Sequence, residues 1–200
     1  GTRGVTVAPR VTATVEGMTR RAVVTGASSG IGAATVRALR TSGWDVVGVA
    51  RRADRLAELA EATGAEAFAA DLTRQEDVDA LAQHLEGSGP IHALVQVAGG
   101  AKVTDRVEDG DPDDWTWMFE VNVLATQRVV AALLPLLRRG AAEDGHADTV
   151  FLTSTAAQTA YQGGAGYNAA KAGQGMIAKV LRLELNGEPI RISEVAPGMV

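Results

Sequence analysis

The chain has 200 residues, a formal net charge of −5 at pH 7, and 46% hydrophobic and 22% charged residues. This length and composition fit a single globular domain that can bury most of the apolar surface of the unfolded chain. Acidic and basic residues are mixed along the sequence without a basic run, so no nucleic-acid partner is predicted. The absence of cysteine excludes disulfides, thiolate metal sites and cysteine nucleophiles.

The sequence has no uninterrupted apolar run of about 18 residues or more and no apolar core of a signal peptide. We therefore expect a cytoplasmic protein without a membrane partner. Residues 1–18 show neither helical nor sustained strand periodicity, and we expect them to form a flexible N-terminal extension. Residues 19–200 are predicted to form the domain.

Short apolar runs alternate with amphipathic segments along residues 20–198. The predicted strands are RRAVVTG, DVVGVA, AEAFAAD, IHALVQVAG, DTVFLTS and IRISEVAPG, and the predicted helices cover 31–41, 53–63, 75–85, 113–139 and 165–185. Apolar strands separated by helices indicate a parallel sheet that is covered on both faces. The predicted fold class is α/β, a doubly wound parallel sheet of the Rossmann type in one domain.

Residues that could bind a ligand or take part in catalysis follow the predicted strands. In doubly wound sheets, ligands bind beyond the carboxyl ends of the strands. The residues that follow strand ends here are Gly26, Arg51, Asp71, Ala98, Gly99, Ser154, Pro197 and Gly198. The alternative is that glycine, proline, aspartate and serine end strands in any protein.

The segment TGASSGIG, residues 25–32, joins the first strand to the first helix. Glycines allow a tight turn and close approach of the backbone, and the helix N-terminus offers free N–H groups and a positive dipole end to a pyrophosphate. The predicted dinucleotide-binding residues of this loop are Gly26, Ser28, Ser29, Gly30, Ile31 and Gly32. The alternative is a tight turn that binds no ligand.

The segment YNAAK places Tyr167 and Lys171 four residues apart, on one face of a helix. A nearby positive charge favours the phenolate, so we expect Lys171 to lower the pKa of Tyr167 towards the range of a general acid/base. The alternative is a surface pair at a common spacing. It is weakened by the rarity of both residue types, since the chain has two tyrosines and three lysines.

The chain resembles the short-chain dehydrogenase/reductase family from about residue 19 to residue 200. The features that carry this resemblance are TGASSGIG, Asn122, Ser154, YNAAK and Pro197-Gly198. The resemblance implies that Tyr167 exchanges a proton with the substrate oxygen, while Lys171 holds the nicotinamide ribose and depresses the tyrosine pKa. It also implies that Ser154 hydrogen-bonds the substrate oxygen. Asn122 would support Lys171 through a water molecule.

The resemblance further implies which residues contact the cofactor. It assigns Asp71, with the adjacent Leu72, to the adenine end and Ala98 and Gly99 to the floor beneath the ribose. It assigns Pro197, Gly198 and Val200 to the nicotinamide end. Where NAD-selective relatives place an acidic residue after the second strand, this chain has Arg51 and Arg52, which suit the 2′-phosphate of NADP(H). We expect Arg51 to dominate; the alternative is a solvated arginine pair.

Two departures from the family pattern stand out. Gln96 and Val97 replace the two asparagines that tie the central strand of relatives to its neighbours, so that support is missing. Relatives also continue past the position of Val200 into a substrate-covering segment and a seventh strand. We expect a domain truncated after strand six, a longer natural polypeptide, and an exposed apolar edge at residues 190–195.

The predicted function is an NADP(H)-dependent oxidoreductase that interconverts a secondary alcohol and a carbonyl compound. The IRISEVAPGMV end resembles the branch that oxidises hydroxy-amino acids. The alternatives are a dinucleotide-binding redox sensor without turnover and an inactive truncated fragment. No metal is predicted, because His84, His92 and His146 lack metal-binding spacing. Trp115 and Trp117 are interpreted as packing residues. The resemblance implies a homodimer or homotetramer, because related proteins build their subunit interface from the helices that correspond to 113–139 and to the Tyr167 helix.

Overall fold

The computed structural model describes residues 19–102 and 105–198. Residues 1–18, and with them the predicted N-terminal extension, lie outside the described residues, as does the predicted cofactor contact Val200. The strands are β1 (Arg21–Thr25), β2 (Asp45–Ala50), β3 (Glu66–Ala69), β4 (Ala93–Gln96), β5 (Ala147–Leu152) and β6 (Ile190–Val195). They form one parallel sheet in the order β3-β2-β1-β4-β5-β6. This confirms the predicted doubly wound sheet.

The helices follow the predicted alternation. They are α1 (Gly30–Thr41), α2 (Ala53–Thr63), α3 (Gln75–Glu86), α4 (Pro112–Phe119), α5 (Ala125–Asp144) and α6 (Ala165–Glu184). The sequence predicts one helix over 113–139, but the helical stretch runs to Asp144 and contains a π-helical turn, Glu120–Leu124, between α4 and α5. Such turns add one residue to the helical repeat and are frequent at functional sites. This one contains Asn122.

Helices cover both faces of the sheet because the strand residues are apolar at successive positions. Val23 and Val47 belong to a hydrophobic cluster with residues of α3, α5 and α6. Their neighbours Val24 and Val46 belong to a second cluster with residues of α1 and α2. Successive side chains in a strand point to opposite faces, so the two clusters are the two layers of the core.

The helical stretch Pro112–Asp144 is long and apolar enough to cross a membrane by length and composition, with a mean hydropathy of 1.3 over its most apolar window. Half of that window is buried inside the fold. Leu133, Leu136 and Leu137 are fully buried in the cluster that packs on the sheet. Packing in the core therefore accounts for the apolar character of this helix.

Within the described part of the chain, β6 pairs only with β5 and forms an edge of the sheet. Ile190 and Ile192 are buried in the cluster with α6. Arg191, on the other face, donates two hydrogen bonds of 2.7 Å to the Asp148 carboxylate. The described part of β6 is therefore an edge strand, as expected, although α6 covers Ile190 and Ile192; Val195 remains 48% exposed.

Candidate active site

A cleft of about 620 Å³ lies at the carboxyl ends of the strands, in the size range of cofactor sites. Its wall is formed by the glycine loop after β1, by Arg51 and Arg52 after β2, and by Ala98 and Gly99 after β4. The sequence-predicted residues that line it are Gly26, Ser28, Ser29, Gly30, Ile31, Arg51, Arg52, Asp71, Leu72, Ala98 and Gly99. The structure therefore brings the predicted adenine-side residues together around one cavity.

The glycine loop between β1 and α1 is tightly packed. Gly26 has a left-handed φ of 66°, and a Cβ there would lie 2.9 Å from the Ala98 nitrogen. A Cβ at Gly32 would collide with the Gly26 carbonyl. No side chain caps the first turn of α1, whose residues Gly30 and Ile31 line the cleft. Uncapped N–H groups at a helix N-terminus suit a pyrophosphate, so the loop fits a dinucleotide.

Arg52 connects the start of α2 to the glycine loop. Its Nη2 donates hydrogen bonds to Ser29 Oγ at 2.6 Å and to Ser28 Oγ at 2.9 Å, and its Nε donates to Ser28 Oγ at 3.1 Å. Arg51 also lines the cleft, with its side chain exposed. The two guanidinium groups therefore form a cationic rim at the end of β2.

Asp71 follows β3 and lines the cleft, where hydrogen bonds from Thr73 fix its carboxylate. Thr73 donates to its Oδ1 from the hydroxyl at 2.7 Å and from the backbone N–H at 3.1 Å. Burial opposes ionisation, but these hydrogen bonds and the charges of Arg51 and Arg74 keep the pKa of Asp71 below its usual value. The carboxylate is therefore ionised and fixed in orientation at neutral pH.

The floor of the cleft rests on Thr25. Its Oγ1 accepts hydrogen bonds of 3.0 Å from the backbone N–H groups of Val97 and Ala98. The buried Gln96 side chain lies 3.4 Å from Thr25 Oγ1 and donates to the Thr126 carbonyl at 3.4 Å. The support that is lost with the family's asparagines is therefore supplied by Thr25 and Gln96.

Ser154, Tyr167 and Lys171 come together at the end of β5 and the beginning of α6. Ser154 follows β5, and its Oγ accepts a hydrogen bond from the Ala156 N–H at 3.1 Å. Burial raises the pKa of the Tyr167 phenol, and the nearby Ser154 hydroxyl acts against that rise. Lys171 Nζ lies 5.9 Å from the centroid of the Tyr167 ring. The three predicted catalytic side chains thus form one group.

Asn122 lies beside this group. A Cβ on Gly99 would lie 2.5 Å from Asn122 Oδ1 and 3.3 Å from Lys171 Nζ, so both side chains approach the same glycine. Asn122 Nδ2 donates to the carbonyls of Gly100 and Met118, each at 2.8 Å, and its Oδ1 accepts from the Gly100 N–H at 3.2 Å. In this structure the Asn122 amide therefore fixes the chain that follows the cleft floor.

The pKa of Tyr167 is raised above its ordinary value of 10.0. Burial is the largest cause; the Ser154 hydroxyl acts in the opposite direction, and Tyr161 adds to the rise. The predicted lowering by Lys171 is therefore wrong for this arrangement. Lys171 Nζ turns away to donate to Gln174 Oε1 at 2.8 Å and to the Leu152 carbonyl at 3.2 Å.

The remaining predicted contacts, Pro197 and Gly198, follow β6. The Pro197 carbonyl accepts a 2.9 Å hydrogen bond from the Thr155 N–H, which places it next to Ser154. Neither Pro197 nor Gly198 lines the cleft, and the predicted cofactor contacts Gly32, Tyr167 and Lys171 do not line it either. Pro197 and Gly198 therefore lie on the Ser154 side of the site, away from the adenine end.

Sequence reasoning missed several side chains of the site. Trp117 lines the cleft, whereas Trp115 lines a smaller pocket together with Lys102, Tyr161 and Tyr167. The two tryptophans are thus wall residues as well as packing residues, and their position between a strand end and the Asn122 turn is the signal that could have indicated this. Asn168, next to Tyr167, donates to the Ala156 carbonyl at 2.5 Å and ties α6 to the Ser154 segment.

The family model for short chain dehydrogenases matches residues 20–200. The chain belongs to the short-chain dehydrogenase family. Members of this family are oxidoreductases that bind a nicotinamide dinucleotide and act on small molecules. The cleft and the group of Ser154, Tyr167 and Lys171 are consistent with membership of this family.

Three similar proteins illustrate this membership. An uncharacterised oxidoreductase of Mycobacterium tuberculosis is 49% identical over 181 residues, which are 90% of this chain and 69% of that protein. A short-chain dehydrogenase from Streptomyces avermitilis has a TM-score of 0.83 and 32% identity; the match covers 91% of this chain and 66% of that one. An alcohol dehydrogenase from the archaeon Thermococcus sibiricus, solved with 5-hydroxy-NADP, has a TM-score of 0.80 and 29% identity, covering 92% and 77%.

Proposed function

We propose that this protein is an NADP(H)-dependent oxidoreductase that interconverts a secondary alcohol and a carbonyl compound, with Tyr167 as the acid/base group. The observation that carries this proposal is the position of Tyr167. It lies near both the Ser154 hydroxyl and the buried Lys171 ammonium, and Gly99, which lines a cleft that fits a dinucleotide, lies next to Lys171.

In the reduction direction, the Tyr167 hydroxyl donates its proton to the carbonyl oxygen of the substrate. The Ser154 Oγ accepts from the Ala156 N–H, so its own O–H is available to donate to the same oxygen. The positive charge of Lys171, 5.9 Å from the centroid of the Tyr167 ring, offsets part of the cost of burial for the phenolate that remains, although burial still dominates the pKa of Tyr167. In oxidation, the phenolate takes the proton of the alcohol.

Residues of the cleft, together with Lys171 beside it, would hold different parts of the cofactor. The first turn of α1 would bind the pyrophosphate, Asp71 would bind the adenine, and Lys171 would bind the nicotinamide ribose. When bound, the cofactor supplies or accepts the hydride at the substrate carbon. The protein contributes position and charge at Tyr167 and Lys171.

The preference for NADP(H) over NAD(H) is proposed from the cationic rim. Arg51 and Arg52 directly follow β2, where an acidic residue would bind the ribose 2′-hydroxyl of NAD. Guanidinium groups instead match a phosphate in geometry and charge. Arg52 is held against Ser28 and Ser29, so we assign it at least as large a part as Arg51. The complex of the similar Thermococcus enzyme with 5-hydroxy-NADP supports this preference.

A dinucleotide sensor would need the cleft but no proton donor, so the Ser154, Tyr167 and Lys171 group favours an enzyme over a sensor. The test is to incubate the protein with NADPH and a panel of ketones and aldehydes, and with NADP⁺ and a panel of secondary alcohols and hydroxy-amino acids. We expect turnover, followed as a change in NADPH absorbance. NADPH binding without turnover would support the sensor. The absence of both binding and turnover would support the inactive fragment.

The expected homodimer or homotetramer remains a proposal, and we assign it to the exposed face of α6. Met176, Val180 and Leu183 recur at helical spacing on that face, and Leu183 is 77% exposed. A second copy of the chain is the proposed occupant. Sedimentation should show an oligomer that Leu183→Glu dissociates, and a monomeric wild-type protein at micromolar concentration would contradict the proposal.

A further inference from the structure

A chain of buried polar side chains runs from Lys171 away from the cleft. Lys171 Nζ donates to Gln174 Oε1 at 2.8 Å, and Gln174 Nε2 donates to Thr126 Oγ1 at 3.1 Å. Thr126 Oγ1 donates in turn to the Asn122 carbonyl at 2.8 Å. All four residues are buried, and Gln174 and Asn122 have no exposed surface. This series of hydrogen bonds thus links α6 to the π-helical turn.

The direction of these hydrogen bonds is fixed by the ammonium. Lys171 can only donate, so the Gln174 amide must present its oxygen to Lys171 and its nitrogen to Thr126. Each acceptor oxygen then points towards the positive charge. Aligned hydrogen bonds in a buried site strengthen one another, and a missing partner there is costly. The chain therefore favours the charged form of Lys171.

Few other groups compensate the charge of Lys171. Burial lowers the pKa of Lys171 to about 8. The Leu152 carbonyl faces it from β5, and the uncharged Asn122 faces it from the π-helical turn. Among ionisable groups, Tyr167 lies on the same helix, and Glu194 of β6 directs its carboxylate to Thr153 Oγ1, from which it accepts at 2.8 Å. Gln174 is therefore the principal side-chain acceptor of the ammonium.

We propose that Gln174 is a positioning residue of this enzyme, whose side-chain carbonyl holds the Lys171 ammonium in its charged form and, through Thr126, ties it to the π-helical turn at Asn122. Lysine has three N–H donors, and Leu152 and Gln174 engage two of them. The third stays available for a ribose hydroxyl. The inference rests on the proposed function only in that Lys171 assists Tyr167.

The test is a pH titration of Lys171 by NMR in protein labelled with ¹³C-lysine. The sequence has only three lysines, and Lys102→Arg and Lys179→Arg assign the other two signals. Gln174→Met keeps the side-chain length but removes the acceptor. Hydrogen bonds to charged groups contribute enough that we expect the Lys171 midpoint to fall by about one pH unit or more. Gln174→Glu places a carboxylate there and should raise the midpoint.

Two further variants refine the test. Thr126→Val leaves the Gln174 contact but removes the next link, so a smaller fall is expected. Gln83→Met, at an exposed position on α3, controls for the substitution itself and should change nothing. Because the Met and Glu variants move the midpoint in opposite directions, either one decides the matter if the other does not fold. A midpoint equal to that of the wild type in each folded Gln174 variant would overturn the proposal.

The titration needs neither cofactor nor turnover, so it separates this inference from the proposed function. A shifted Lys171 midpoint in a protein that reduces no carbonyl compound would leave the role of Gln174 intact and overturn the function. Turnover by the wild type with unshifted midpoints in the variants would do the reverse.

Discussion

The Lys171 ammonium lies 5.9 Å from the centroid of the Tyr167 ring, yet the pKa of Tyr167 stands above its ordinary value. Burial of the phenol dominates, while the ammonium is hydrogen-bonded to Gln174 and Leu152 instead of to the phenol oxygen. The neutral phenol is the form that carbonyl reduction needs, because the substrate oxygen takes a proton from it. The described arrangement is therefore suited to proton donation.

This relationship predicts the ionisation of the phenol. The chain has two tyrosines, so Tyr161→Phe leaves Tyr167 as the only one. In this variant the ultraviolet absorbance of the phenolate should appear at a higher pH than the ordinary 10.0, because burial disfavours the charge. Unfolding at a fixed pH near 10.0 should then increase the absorbance, since the unfolded tyrosine ionises first. A folded-state midpoint at or below the ordinary value would contradict the assignment.

The cationic rim predicts how the cofactor is selected. Arg52→Ala should weaken NADPH binding by about tenfold or more, the contribution of one hydrogen bond to a charged group, and weaken NADH binding less, through the lost hydrogen bonds to Ser28 and Ser29 alone. Arg51→Asp should reduce the preference further by repelling the 2′-phosphate. Arg55→Ala is the matched control, because Arg55 pairs with Glu58 on the exposed face of α2. Equal losses for both cofactors in a fluorescence titration would show that the arginines do not read the phosphate.

The floor of the cleft predicts a stability effect at Thr25. Thr25→Val keeps the shape but leaves the N–H groups of Val97 and Ala98 without their acceptor. A fully buried unpaired group costs about 1–3 kcal/mol, and these two groups are partly buried beside the cleft, so the free energy of unfolding in urea should fall by about 1 kcal/mol or more. Thr25→Ser retains the hydroxyl and should lose much less. Similar losses in both variants would mean that the methyl group, and not the hydroxyl, supports the floor.

The fold could be predicted from sequence because its signals are local. Apolar runs, helical periodicity and strand-end glycines specify alternating elements, and the predicted helix over 53–63 has the bounds of α2. The π-helical turn could not be predicted in this way. It adds one residue to a helix whose apolar pattern continues on both sides, so no change of period marks Asn122.

The site was predictable in its members but not in their contacts. Spacing places Tyr167 and Lys171 on one helix face, but it does not show where the ammonium points. Gln174, three residues beyond Lys171, shares that face, and only the three-dimensional structure shows that it meets Thr126 at the start of α5. Arg51 and Arg52 are likewise equivalent in sequence, whereas in three dimensions Arg52 reaches Ser28 and Ser29.

The most direct test of the central claim compares wild-type protein with Tyr167→Phe at saturating NADPH. The substitution removes the hydroxyl that gives up the proton but retains the ring, so NADPH affinity should stay within about twofold while carbonyl reduction falls by about a hundredfold or more, the usual range of general acid catalysis. The measurement pairs a NADPH binding titration with the rate of NADPH consumption on the same samples. Turnover in the Phe variant within a few-fold of the wild type would contradict the assignment of Tyr167 as the proton donor.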